Sequence, residues 1–283
     1  MTTARCADLA FEDLPGDGLP LLFVHGFLLT RALWTPVAHA LGDTHRRILV
    51  DLRGHGDSPL GPAGFSPRDA TRDLGAEPAP PDAVIADYAD DLAALLDRLD
   101  ERRRVVLVGL SMGGIVGFEF FRRHRARLAA LVLIGSRANA ESPAGIGRWG
   151  ALIRAVARVG PRAAADAFMD MLFARVAAPA LRDAWRAIIA AQPRDGVILG
   201  ARALAARADG FALLPTIDLP TQVAVGRDDV VTPPDTMREI ANRIPGARYA
   251  ELPDAGHLLP VEQPRALANI LAAFLTDCVA PRR

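Results

Sequence analysis

The chain has no lysine. Its 33 basic residues are all arginine, and 33 acidic residues bring the formal net charge to zero. With neither sign in excess, there is no electrostatic footprint for nucleic acid or an anionic membrane, and neither is expected as a partner. Cysteine is nearly absent. Cys6 and Cys278 lie near opposite ends, too few for a disulfide framework, and they are read as free thiols. The His and Cys residues form no ligand cluster, so no metal and no cofactor is expected. No apolar run reaches the roughly 20 residues that span a bilayer. The opening MTTARCADLAFEDLPGDG carries acids where an export signal needs an apolar stretch, which predicts a cytoplasmic location. There is no internal repeat. Arginine and alanine in place of lysine is the usage expected of a GC-rich bacterial coding sequence.

What is present is apolar and alternating. Hydrophobic residues make up 51% of 283 residues, enough for one large core. Six short β-branched or Leu-rich runs stop at turn residues: 19–26, 46–54, 103–109, 128–136, 219–226 and 246–254. Such runs predict strands buried on both faces. Helical stripes lie between them. Tyr88, Leu92, Leu95, Leu96 and Leu99 share one face, and Leu267, Ile270, Leu271, Phe274 and Leu275 share another, with Pro264 at the helix start. The alternation predicts an α/β fold with a mostly parallel sheet and flanking helices. Residues 138–214 break it: they contain Ala/Arg/Leu helical patterns and no strand, and predict an inserted helical cap. The core is then 1–137 with 215–283. The Pro/Gly/Asp-rich stretch 59–82 predicts a long loop, either a partial lid or a surface excursion.

Between the third run and a helical pattern lies GLSMG, 109–113. A sharp strand-to-helix turn presses two backbones together, so Gly109 and Gly113 are expected on steric grounds. Ser111 at the apex is then held in a strained conformation beside a helix N-terminus, where free N–H groups favour developing negative charge. A serine hydroxyl needs a base, and the base needs an orienting group. Of six histidines, His39, His45 and His124 are expected to be solvated, and His25 and His55 to serve turns. His257, in LPDAGHLLPVEQP after the last run, is the expected base. The acid is expected where 219–226 ends, in GRDDVVTPP, which offers Asp228 and Asp229. Strand-end physics does not separate the two.

In order along the chain, HGF (25–27), DLRGHGDS (51–58), GLSMGG (109–114), GRDDVVTPP (226–234) and AGH (255–257) resemble the α/β-hydrolase superfamily over nearly the whole length. The order Ser, acid, His is that of the family. The resemblance implies the α/β-hydrolase fold, and its register favours Asp229 over Asp228. It also implies an oxyanion hole made by the backbone N–H groups of Met112 and Phe27. Asp51 and Arg53 are expected to make local hydrogen bonds in their turn. Within the family the chain looks similar to bacterial carboxylesterases and enol-lactonases of the 3-oxoadipate type. That implies cleavage of a small-molecule ester or lactone through an acyl-enzyme. Cofactor-free haloperoxidase or perhydrolase chemistry, carbon–carbon bond hydrolysis and a low-turnover ligand receptor remain open on the same residues. Substrate contacts are expected from Phe168 and Met171, with Arg137 available to a substrate carboxylate, although Phe168, Met169, Met171, Leu172 and Phe173 at helical spacing also fit packing between cap and core.

Overall fold

The computed structural model describes residues 8–61 and 83–279. Most of the 59–82 loop lies outside the described residues, as does Cys6. Seven strands form one sheet: β1 (Phe11–Leu14), β2 (Gly18–Val24), β3 (His45–Val50), β4 (Val105–Leu110), β5 (Leu128–Ile134), β6 (Thr221–Gly226) and β7 (Arg248–Leu252). Their spatial order is β1-β3-β2-β4-β5-β6-β7. β1 pairs antiparallel with β3, and every other pair is parallel.

The centre of the sheet explains the sequence runs. Every residue of β4 (VVLVGL), β5 (LAALVLI) and β6 (TQVAVG) is buried. These strands are covered on both faces, which is why they read as continuous rather than alternating apolar runs. Each fully buried Leu or Val contributes about 1.5–3 kcal/mol of burial. The antiparallel edge strand β1 has no counterpart among the six runs. Four residues long and carrying Glu12 and Asp13, it has the short, charged character that keeps a sheet edge from pairing with other chains.

Helices α1 (Thr35–Ala40), α2 (Ala83–Arg98) and α3 (Met112–His124) belong to the crossovers. α4 (Pro143–Val159), α5 (Arg162–Leu172), α6 (Pro179–Ala190) and α7 (Arg194–Ala205) follow one another between β5 and β6, and α8 (Pro234–Arg243) and α9 (Pro264–Phe274) close the chain. Proline opens α4, α6, α8 and α9, where its missing N–H has no intrahelical partner to lose. No described helix is long and apolar enough to cross a membrane.

The four helices α4–α7 meet the strand-end loops at two glycines. A Cβ on Gly196 of α7 would overlap the Gly54 carbonyl, and one on Gly256 would lie 2.5 Å from the Ala174 nitrogen. At the second junction Leu258 N–H donates to the Leu172 carbonyl at 3.0 Å. The Glu262 carboxylate there accepts from Gly256 N–H at 3.0 Å and from Ala174 N–H at 2.8 Å. Both neighbours of His257 are thus fastened at the junction of α5 and α6, Leu258 to the Leu172 carbonyl and Gly256 through Glu262.

Asp51 and Arg53 reach further than local turn bonds. The Arg53 guanidinium makes a two-pronged pair with Asp91 of α2, both bonds 2.7 Å long. Asp51 receives the Arg31 guanidinium and backbone N–H as well as its near neighbour Asp57 N–H. His45 and His124 also depart from solvation: His45 Nδ1 bonds the Leu19 carbonyl and His124 Nε2 meets Asp90 at 2.7 Å. These partners are far apart in sequence, so turn composition carried no sign of them.

Candidate active site

β4 ends at Leu110 and α3 begins at Met112, leaving one residue for the turn. That residue, Ser111, has φ 55° and ψ −116°, a conformation that costs of order 1–3 kcal/mol and persists only where the surroundings enforce it. The surroundings do so here. A Cβ on Gly109 would overlap the Gly113 carbonyl, and a Cβ on Gly113 would overlap the Val24 carbonyl at the end of β2. Ser136 Oγ donates to the Ser111 carbonyl at 2.8 Å, and a Cβ on Gly114 would lie 2.5 Å from Ser136 Oγ. Ser136 is a supporting residue the sequence motif did not name.

Asp229 and His257 meet after β6 and β7. Asp229 Oδ2 accepts from His257 Nδ1 at 2.8 Å and from Thr232 Oγ1 at 2.7 Å. Oδ1 accepts the N–H groups of Val231 and Thr232, both at 2.8 Å. Facing a carboxylate, Nδ1 carries the ring proton, which leaves Nε2 as the proton acceptor. Burial pushes the Asp229 carboxyl up, but the charge and hydrogen bond of His257, with the Thr232 bonds, more than offset this, and it lies below the usual carboxylate range. Asp228, one residue earlier, is exposed. Gly135 also belongs to this arrangement. It has φ +46°, and a Cβ there would stand 3.0 Å from Asp229 Oδ2 and 3.2 Å from His257 Nδ1. A glycine directly after a buried strand was the available signal for it.

Ser111 and His257 line one cavity of ≈ 610 Å³, a size typical of small-molecule sites. Phe27, Phe168, Met171 and Arg137 are on its wall, as are Trp149 and Arg207. The 167–173 cluster divides: Phe168, Met171 and Leu172 line the cavity, while Met169 and Phe173 are buried in the core. Phe27, Trp149 and Phe168 pack as an aromatic trio with centroids 5.5–6.0 Å apart. Trp149 Nε1 donates to Glu141, which also pairs with Arg207 at 3.0 Å. The trio and the Glu141–Arg207 pair went unread in the sequence because no short-range spacing joins 27, 141, 149 and 207.

Among the described residues neither the Phe27 nor the Met112 N–H has a protein acceptor. His25 bears on the first of these. Its Nδ1 donates to the Gly26 carbonyl at 2.7 Å and its Nε2 accepts Leu52 N–H at 2.9 Å. The Gly26–Phe27 peptide is trans, so fixing its carbonyl toward His25 aims the Phe27 N–H the opposite way.

His25 and His55 are buried and uncharged. Burial lowers His25 to about 4, and burial with the adjacent His25 lowers His55 to about 3. Both fall below the ordinary histidine value of about 6.5, so as pH drops below it the unfolded chain binds protons that the folded chain does not. Stability should therefore fall between about pH 6 and pH 4, by about 1 kcal/mol per pH unit for each histidine. Urea melts across that range test this, and His55→Gln should make the slope shallower by one proton. A slope unchanged by His55→Gln would contradict the neutral assignment of that ring.

Residues 20–264 match the family model of the alpha/beta hydrolase fold. The chain belongs to that family. Among solved structures, it is 36% identical to a thermophilic esterase from Thermogutta terrifontis, solved with malate bound, at a TM-score of 0.86 over 96% of this chain and 94% of that one. It is 27% identical to the enol-lactonase from Burkholderia xenovorans, at a TM-score of 0.80 over 95% and 96% of the two chains. Among sequence relatives, a Variovorax paradoxus protein named as a carbamate hydrolase, RutD, is 32% identical over 282 residues, covering 94% of this chain and 95% of the relative. The family relation accounts for the seven-stranded, mostly parallel sheet.

Proposed function

We propose that the protein is a serine hydrolase that cleaves a carboxylic ester or lactone through an acyl-enzyme. The observation that carries this reading is the pairing of a buried Asp229–His257 hydrogen bond with a strained serine on the wall of the same cavity. In this mechanism Ser111 Oγ attacks the acyl carbonyl while His257 Nε2 takes its proton. Asp229 holds the imidazole in the Nδ1–H tautomer and stabilises the imidazolium. The Phe27 and Met112 N–H groups receive the oxyanion. His257 returns the proton to the departing alkoxide, and the alcohol leaves. Water, deprotonated by the same histidine, then releases the acid. No metal or cofactor enters any step. The similar proteins named esterase and enol-lactonase favour this substrate range.

Residues 138–214 act in this reading as the cap that shapes the acyl and alcohol sites. Phe168 and Met171 provide apolar contacts, and Arg137 is the polar contact. The cavity volume suits acyl chains of modest length. Hydrolysis of p-nitrophenyl esters of increasing chain length tests the proposal: turnover should rise and then fall steeply as the chain outgrows the cavity. Phe168→Ala should move the optimum to longer acids. A folded protein that turns over none of these esters or simple lactones would overturn the reading.

A further inference from the structure

Resting on the serine-hydrolase reading, we propose that Glu262 is a positioning residue for the base: its carboxylate locks the His257 loop to the α5–α6 junction, and the histidine meets the serine in register only while that lock is closed. Glu262 Oε1 accepts Gly256 N–H at 3.0 Å, and Oε2 accepts Ala174 N–H at 2.8 Å. One bond reaches the loop that carries His257. The other reaches the chain between α5 and α6.

The loop needs such a lock. Asp229 fixes the imidazole through Nδ1. A bond there anchors one edge of the ring, and the direction of Nε2 then depends on where the backbone carries the His257 Cα. That backbone is held at several points. The Ala255 carbonyl accepts Asp228 N–H at 2.9 Å, and Leu258 N–H donates to the Leu172 carbonyl at 3.0 Å. Glu262 returns to Gly256 through its side chain, while its own N–H donates to the Leu258 carbonyl at 3.1 Å. Residues 256–262 thus close on themselves around His257. On the far side, Ala174 is pinned by both main-chain groups, its N–H by Glu262 and its carbonyl by the Arg182 guanidinium at 2.7 Å. Leu172, just before it, lines the substrate cavity. The cavity wall and the base are therefore attached to each other through one carboxylate and one backbone bond.

Two features favour positioning over simple bracing. The first is the chemistry of the acceptor. Two N–H groups from separate segments each take one oxygen, which a carboxylate offers. An amide in its place would turn its NH₂ against one of the donors. The second is cost. Burial and the negative charge of Asp229 push the Glu262 carboxyl above its ordinary value, and the two N–H bonds with Arg182 offset only part of this. Its ionisation therefore subtracts stability as pH rises through the carboxylate range. A carboxylate kept at such a cost beside the base fits a part selected for activity rather than for stability.

Glu262→Gln tests this on p-nitrophenyl acetate, with thermal melts alongside. kcat should fall about 10²-fold, the scale of a misplaced catalytic group, with KM within about twofold. The same substitution made in His257→Ala should change single-turnover acylation by no more than about twofold, because Glu262 acts through a ring that is no longer there. Glu262→Asp keeps both oxygens but draws them back by one methylene. It should fall between wild type and Glu262→Gln, and it gives the same comparison if the glutamine variant does not fold. Unchanged kcat in both variants would overturn the inference. So would an equal loss with and without His257, or a loss confined to KM, either of which would make Glu262 a brace for the cavity wall only. Any of these results with turnover that still depends on Ser111 leaves the hydrolase reading intact. Turnover that survives Ser111→Ala removes both.

Discussion

Asp229→Asn should lower kcat/KM on a good ester by about 10⁴-fold, while Asp228→Asn leaves it within about twofold. The two residues are adjacent in sequence and opposite in environment. Asp229 is buried and spends both oxygens on four hydrogen bonds, including the one to His257, whereas Asp228 faces solvent. An asparagine at 229 can keep the Val231 and Thr232 N–H bonds through its oxygen. Its NH₂ then faces His257 Nδ1 and favours the tautomer with Nε2 protonated, which can no longer take the serine proton. The loss should therefore fall on kcat with little change in KM. It should also cost stability above the usual carboxylate range. The Asp229 carboxyl is held below its ordinary value, so its contribution is present at neutral pH and fades as pH falls. The wild type and Asp229→Asn should then converge in stability under acid. Equal losses in the two variants would mean that the acid assignment is wrong.

Ser111→Ala should remove ester hydrolysis almost entirely, by about 10⁶-fold in kcat. The variant should fold normally. Alanine has the same Cβ as serine, and the contacts that enforce φ 55° come from glycines and from the Ser111 carbonyl rather than from the hydroxyl. Ser111→Gly provides the complementary measurement. Glycine occupies positive φ without steric cost, so Ser111→Gly should be more stable than Ser111→Ala by about 1 kcal/mol, with activity equally absent. A thermal or urea melt of the pair reads this difference. Equal stability would mean that the strain at the turn is smaller than its dihedrals indicate.

Much of this arrangement could be read before the structure, and the parts that could not have physical reasons. Strands buried on both faces announce themselves as apolar runs, as β4, β5 and β6 do. The run 246–254 marked a strand too, but β7 lies at the sheet edge and buries only Leu252 fully, because it has a neighbour on one side alone, while β1, short and charged, had no signal. The serine turn was legible because its constraint is local: strand, glycine, serine, glycine and helix lie within a dozen residues. The choice between Asp228 and Asp229 rested on family register. In the structure it follows from which side chain turns inward at the Val231–Thr232 backbone. The fastening of the His257 loop by Glu262, the pinning of Gly26 by His25 and the Arg53–Asp91 pair join residues that only the fold brings together. The four helices between β5 and β6 were legible as helical but not delimited, because Ala/Arg-rich sequence has nearly uniform helix propensity. Their prolines mark two of the starts. The aromatic trio around Trp149 emerges only when the cavity is assembled.

The most direct test of the central claim is the site of covalent modification by a phosphorylating ester, diethyl p-nitrophenyl phosphate. One equivalent of p-nitrophenol should be released per chain, and peptide mass analysis should place one diethylphosphoryl group on Ser111. Activity should fall in proportion to labelling, and Ser111→Ala should take up none. Labelling at another residue with loss of activity, or full hydrolysis with Ser111 unmodified, would contradict the account.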